Sequence, residues 1–268
     1  FAVEAGLRAD HHSRYGWVVL PAAGIFIKPT EDLAIRLHYG SGYKVPGLFT
    51  LSQPDEYFHL RSVNDSIVPE LSTGYNMDVN YSFSAGPWMF QLNQAFYYTS
   101  ILHPTQLWMN ANGDLTVNNS NDPITSIGTD TYIRIRMEIF ELYLGYNHTV
   151  AEFTNSGTDY YLPFNPTDKV AMTFAVDAAD WRGGVEAAYN ANQYIYNNQR
   201  VPDFWFFAAM VERRFKFGSI VMNCENLGNF RQSKSEPLVT GTVQNPVFAP
   251  LWGPTEGRVI NLSVRIRL

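Results

Sequence analysis

Cysteine occurs once, at Cys224, which excludes an internal disulfide and any Cys-x-x-Cys metal or redox site. Charge is scarce as well: Asp, Glu, Lys and Arg make up 16% of the 268 residues, well under the quarter usual in soluble domains. The formal charge is −6 and no Lys/Arg block exists, so the clustered positive surface that nucleic acid requires is missing. Long apolar runs are lacking too. Trp17 to Ile27 spans 11 residues and contains Pro21 and Gly24, short of the roughly 18 needed for a membrane-crossing helix. The six histidines include the adjacent pair His11 and His12, but no His-x3-His or His-Glu-x-x-His spacing occurs. A resident metal or other cofactor is therefore not expected. No Gly-x-Ser-x-Gly elbow is present, and no catalytic residues are assigned. The sequons at Asn80, Asn147 and Asn261 fall inside expected strands and are incidental.

Aromatic residues, by contrast, make up 15% of the chain, while mean hydropathy stays slightly polar. A membrane wall with one apolar and one wet face produces both values, because the two faces cancel in the average. Period-two alternation supports this. Val3, Ala5, Leu7 and Ala9 alternate with Glu4, Gly6, Arg8 and Asp10, and Tyr75, Met77, Val79, Tyr81 and Phe83 with Asn76, Asp78, Asn80 and Ser82. About twelve strands of roughly 10 to 13 residues follow, a length suited to tilted membrane strands. They fall at 1–11, 16–28, 32–41, 71–84, 87–100, 123–137, 139–151, 167–178, 180–191, 203–215, 217–227 and 256–268. The strand at 203–215 is the least regular, since Phe204 through Phe207 are apolar on both faces.

The connections carry a second pattern. Tight turns near Pro29, Gly86, Glu138, Ala179 and Lys216 alternate with long stretches such as 41–70, 100–122, 151–166 and 228–255. Outer-membrane barrels keep short turns on the periplasmic side and long loops outside, whereas a soluble sandwich has no reason to. Aromatic placement agrees: Trp88, Phe90, Phe140, Trp181, Phe215 and Phe217 lie beside the tight turns, and Tyr39, Tyr98, Tyr146, Tyr189 and Tyr194 toward the long loops, as two interfacial girdles. The expected fold is an all-β, antiparallel, transmembrane up-and-down β-barrel, with residues 1–268 forming one unit.

Several segments resemble the barrel of TonB-dependent outer-membrane receptors, especially the Bacteroidetes type. They are Arg36-Leu-His-Tyr-Gly-Ser-Gly-Tyr-Lys-Val-Pro46, Pro69-Glu70-Leu71-Ser72, Gln94-Ala-Phe-Tyr-Tyr98, and Glu225-Asn-Leu-Gly-Asn-Phe-Arg231 followed by Pro254-Thr-Glu-Gly-Arg258. The resemblance runs through the whole chain in order, departing at Leu268, where the family often ends on an aromatic. It implies a barrel of about 22 strands around an amino-terminal plug, of which this chain would be the carboxy-terminal part, with Phe1 at a truncation point. It also implies a bacterial outer-membrane location and active import of a scarce nutrient. An iron-siderophore complex is the leading substrate, with cobalamin, haem or a glycan behind it. The implied partners are the TonB complex acting through the plug, outer-membrane lipid, the barrel-assembly machinery and a small metal chelate or macrocycle. Binding would fall to the loops and upper wall, where the candidates are Tyr57, Phe58, Trp108, Tyr160, Tyr161 and Trp252 on loops and Arg8, Asp10, Arg36 and His38 on the wall. The loop aromatics serve equally well to pack loops together. A passive porin and a complete twelve-stranded barrel enzyme are the rival readings.

Overall fold

A computed structural model describes residues 1–47, 60–109, 115–154 and 160–266, without the side chains at 60–63, 107–109 and 197. Twelve strands follow one another in a single antiparallel meander, each hydrogen-bonded to the next wall strand in sequence. They are β1 (Ala2–His12), β2 (Gly16–Ile27), β3 (Leu33–Lys44), β4 (Glu70–Ala85), β5 (Trp88–Leu102) and β6 (Ile124–Met137). The second half comprises β7 (Phe140–Phe153), β8 (Asp168–Asp177), β9 (Trp181–Ala191), β10 (Phe204–Phe215), β11 (Gly218–Glu225) and β12 (Val259–Ile266). A short strand, Tyr160–Tyr161, also pairs with β7 and makes the sheet 13-stranded. Among the described residues β1 and β12 do not pair with each other, so the sheet has two free edges.

Register explains why alternation could place these strands. Ile25, Leu37, Met77 and Phe96 form one cross-strand row, while the next row, Gly24, His38, Asn76 and Tyr97, projects to the opposite face. Farther along, Leu144, Met172 and Ala187 align on the first face, and Tyr143, Thr173 and Glu186 on the second. A one-residue slip would exchange the faces of an entire strand, so the two-faced pattern pins the register. The apolar face has no covering layer: Leu37 is 39%, Phe96 50% and Val185 50% exposed. A wall that leaves its larger apolar side chains open suits a bilayer and not water.

Five tight connections, β2–β3, β4–β5, β6–β7, β8–β9 and β10–β11, lie at one end of the strands; the short turn between His12 and Gly16, joining β1 to β2, is a tight connection at the other end. At the start of β11, a Cβ on Gly218 would fall 1.9 Å from the carbonyl oxygen of Arg265, so only glycine lets β11 and β12 approach this closely. At the same end Phe83 stacks on Phe90 at 4.8 Å and Phe215 on Phe217 at 5.7 Å. Tyr39 meets Tyr75 at 5.2 Å and Tyr189 meets Trp205 at 4.8 Å toward the long loops. Tyr194 departs from its expected girdle position; it has left the wall and stacks on Tyr161 at 4.2 Å. Three strands outrun their expected limits by two residues or more, with β3 reaching Lys44, β5 Leu102 and β7 Phe153. At the Gly40–Lys44 corner β3 has parted from β2 after Gly40 yet remains paired with β4 through Lys44 and Glu70.

The long connections have structure of their own. Strands at Leu60–Val63, Thr105–Met109 and Leu115–Asn119 form a separate three-stranded sheet that ties two connections together. Val117 is wholly buried there, close in sequence to the likewise buried Leu115.

Candidate functional site

The wet face concentrates the polar chemistry. On β1 the Arg8 Nε donates to Asp10 Oδ1 at 2.9 Å, so these two expected site residues form a pair. Arg36 and His38 lie on the same face of β3, two strands away. Arg36 sits over the Phe26 ring at 5.4 Å and is the cross-strand partner of Asp78. His38 packs toward Glu4 across Gly24, whose missing Cβ leaves that space open. The four wall candidates therefore share a face without converging: Arg8 and Asp10 pair with each other, while Arg36 and His38 each meet different neighbours.

Toward the tight-turn end, Arg134 binds Glu141, which also accepts from the Tyr143 hydroxyl, and Arg134 reaches Gln91 Oε1 at 3.3 Å. Across β8 to β10, Arg214 donates to Asp177 at 2.6 Å and to Glu212 at 3.4 Å. Most of these charges are therefore matched in place. In mid-wall Tyr97 lies across Gly128. Its hydroxyl accepts from Asn147 Nδ2 at 3.0 Å and bonds Thr149 Oγ1. A shallow recess of 360 Å³ bounded by Tyr132, Tyr143, Gly145, Ala171 and Thr173 opens on this face. A larger groove of 530 Å³, lined by Ala23, Ile25, Leu37, Met77 and Phe96 with Tyr39, Tyr75 and Tyr98, belongs to the apolar face and is almost wholly apolar.

The loop candidates behave differently. Trp252 is only 6% exposed and packs with Ile195, Val201, Phe164, Phe204 and Phe230. Tyr160 stacks on Phe153 at 4.8 Å and Tyr161 on Tyr194. These three aromatics hold loops to each other. Tyr57 and Phe58 lie outside the described residues, as does the side chain of Trp108, whose backbone belongs to the loop sheet opposite Thr116.

The groups that organise the loops escaped the sequence reading. Gln232, fully buried, donates Nε2 to Pro250 O at 2.7 Å and to Glu236 Oε1 at 2.8 Å, and its Oε1 accepts from the Trp252 amide at 3.0 Å. Asn226 Nδ2 donates to Phe230 O at 2.7 Å and Glu256 O at 3.0 Å. Asn119 Nδ2 donates to His103 O at 2.7 Å and its Oδ1 accepts from the Val68 amide at 2.8 Å, bridging two connections. The only available signal was amide-rich sequence beside Gly and Pro, which marks turns without naming partners.

The histidines are dispersed: His11 packs by Trp17, His12 by Tyr15, and His148 Nδ1 meets Asp168 Oδ1 at 2.8 Å. Among the described residues no group of three or more His, Cys, Asp or Glu side chains is arranged to hold a metal ion.

Comparison with solved structures finds the same fold. The chain superposes on the FrpB iron transporter from Neisseria meningitidis with a TM-score of 0.65 and 15% identity, covering 94% of this chain and 38% of that one. For the siderophore receptor PirA from Acinetobacter baumannii the TM-score is 0.68 at 14% identity, with 98% and 43% covered. For the copper transporter OprC it is 0.69 at 15% identity, with 93% and 40% covered. The chain thus spans about two fifths of the length of these receptors. No curated protein matches its sequence. Residues 1–227 match the family described as TonB dependent receptor-like, beta-barrel, which takes in eleven of the twelve wall strands whole. The chain belongs to that family of outer-membrane receptors.

Proposed function

We propose that this chain is the carboxy-terminal part of an energised outer-membrane importer whose substrate is a metal chelate, an iron-siderophore complex before any other. The observation that carries this reading is the two-faced wall with two free edges. Unpaired edges are intolerable in lipid, so further strands must join β1 to β12, and about 22 strands in total would enclose a lumen wide enough for a plug. The similar receptors named above for iron, siderophore and copper support the substrate class. In this reading the wet face lines the lumen, with Arg8, Asp10, Arg36 and His38 meeting substrate or plug on the way through. The loop aromatics Tyr160, Tyr161 and Trp252 shape the mouth by holding its loops, while Tyr57, Phe58 and Trp108 remain candidates for direct contact. The TonB complex would supply the energy through the plug.

Uptake of radiolabelled iron by cells expressing the intact receptor tests the proposal. Accumulation of a ferric siderophore should require both the receptor and a functional TonB complex. Uptake of small solutes that persists without TonB would mark a passive channel instead, and the importer reading would be abandoned.

A further inference from the structure

The connection between β11 and β12 carries a β-hairpin, Val239–Gly241 paired with Pro246–Phe248, in the register Val239 to Phe248 and Gly241 to Pro246. Its base is rigid. Gln232, Glu236 and Trp252 lock the two ends together, with the Trp252 Nε1 donating to Glu236 Oε1 at 2.5 Å. Its body is apolar and open: Val243 is 94%, Phe248 64%, and Val247 and Leu251 each 61% exposed. No charged residue occurs from Pro237 to Thr255. A two-stranded hairpin with three residue pairs is marginal in water by itself, and a concentration of bare apolar side chains marks a contact surface. The hairpin also sits in the connection leading into β12, the strand whose second edge is free.

We infer that this hairpin is a seam clasp, its apolar side chains seated against extracellular loops of the strands that complete the barrel beyond β12. The inference rests on the larger-barrel reading above. Closure in the membrane pairs backbone edges, and the hairpin adds apolar contact to the same junction outside the bilayer. Continuity with that edge favours loops of the same receptor over lipid or a separate surface protein.

Photocrosslinking in living cells tests this. A benzophenone amino acid replaces Phe248 in one variant of the intact receptor and Val247 in another, so that both hairpin faces are sampled and neither substitution disturbs the buried base. The expected result is a dominant adduct, from at least one variant, to a peptide of the same polypeptide outside residues 1–268. Adducts only to lipid, only to a different protein, or only to residues within 1–268 would each overturn the inference, as would no adduct from either variant. The mass of the intact polypeptide is read in the same experiment. A receptor too short to supply further strands would refute the larger-barrel reading itself, whereas a long receptor without the expected adduct refutes the clasp alone.

Discussion

Gln232→Leu should unlock the outer loop between β11 and β12 without weakening the wall. In the native loop the wholly buried carboxamide makes four hydrogen-bond contacts: to Pro250 O, to Glu236 Oε1, and from the amides of Trp252 and Gly253. Leucine has comparable bulk but satisfies none of these partners. The Glu236 carboxylate keeps the Trp252 indole, so its loss is partial. The Pro250 carbonyl and Trp252 amide are left without a partner, and each buried orphan costs about 1–3 kcal/mol. The sum is on the order of 3 kcal/mol, because the Gly253 contact is long at 3.3 Å and loop relaxation lets water recover part of the loss. At about 1.4 kcal/mol per factor of ten, local opening should rise roughly 100-fold. Hydrogen exchange in the intact receptor reads this directly. Amides at Gln232, Trp252 and Ala249 should exchange roughly 100-fold faster in the variant, while those of β4, β5 and β6 stay unchanged. Exchange rates within threefold of the parent at Trp252 would refute the claim that Gln232 locks the loop.

Other perturbations address the wall. Met77→Arg places a charge in mid-wall on the apolar face and should cost about 2–4 kcal/mol in urea-driven refolding into vesicles, whereas Asn76→Arg on the wet face should change little; equal costs would mean the faces are misassigned. Gly128→Ala sets a Cβ 2.6 Å from His148 O and 2.5 Å from the Tyr97 hydroxyl, so the same refolding assay should show a loss of about 1–3 kcal/mol, a neutral result arguing against the Tyr97 packing. Arg213 lies over the Trp181 ring at 4.8 Å, and Arg213→Gln should cost roughly 0.5–2 kcal/mol and shift Trp181 fluorescence; an unaltered spectrum would remove that contact from the account.

The wall strands were legible because their cause is local. Side chains two apart share a face, so β4 was expected at 71–84 and lies at Glu70–Ala85. Even the irregular segment 203–215 forms β10, and the structure explains its irregularity. Trp205 and Phe207 stack on the apolar face at 5.6 Å, while Phe204 turns to the other side and stacks on Phe230 at 4.7 Å in the loop core. Two different apolar surroundings thus meet at one strand end, which no single period can describe. The loops were opaque because their contacts are distant in sequence: Asn64 bonds Asn118 at 2.7 Å across 54 residues. Alternation carried Arg8, Asp10, Arg36 and His38 to a common face but could not say which neighbours they would meet. Residue type alone marks the loop aromatics, and type does not separate an exposed ring such as Tyr196 from a buried one such as Trp252.

The exceptions on the apolar face give the strongest physical argument that this face meets lipid. Polar groups in hydrocarbon must find partners within the protein or lie near the headgroups. In mid-wall, Gln94 and Thr131 are cross-strand neighbours, and the Thr131 hydroxyl donates to Gln94 Oε1 at 2.7 Å. The Gln94 amide in turn donates to Thr129 Oγ1 and to the carbonyls of Ala95 and Asp130, so the cluster is satisfied internally. The charged exceptions sit at the two ends. Arg213 lies near a tight turn, paired with Asp180 at 3.3 Å and covered by Trp181. Asp168 lies at the loop end and receives Tyr146, His148 and Asn192 at 2.7, 2.8 and 2.7 Å. A face bathed in water would have no need to keep charge out of its middle or to close its one central polar group in on itself. The wet face shows the opposite habit, with Arg36, Asp78 and Asp130 spread along its centre. The distribution of charge within each strand therefore orients the wall as firmly as the loops do.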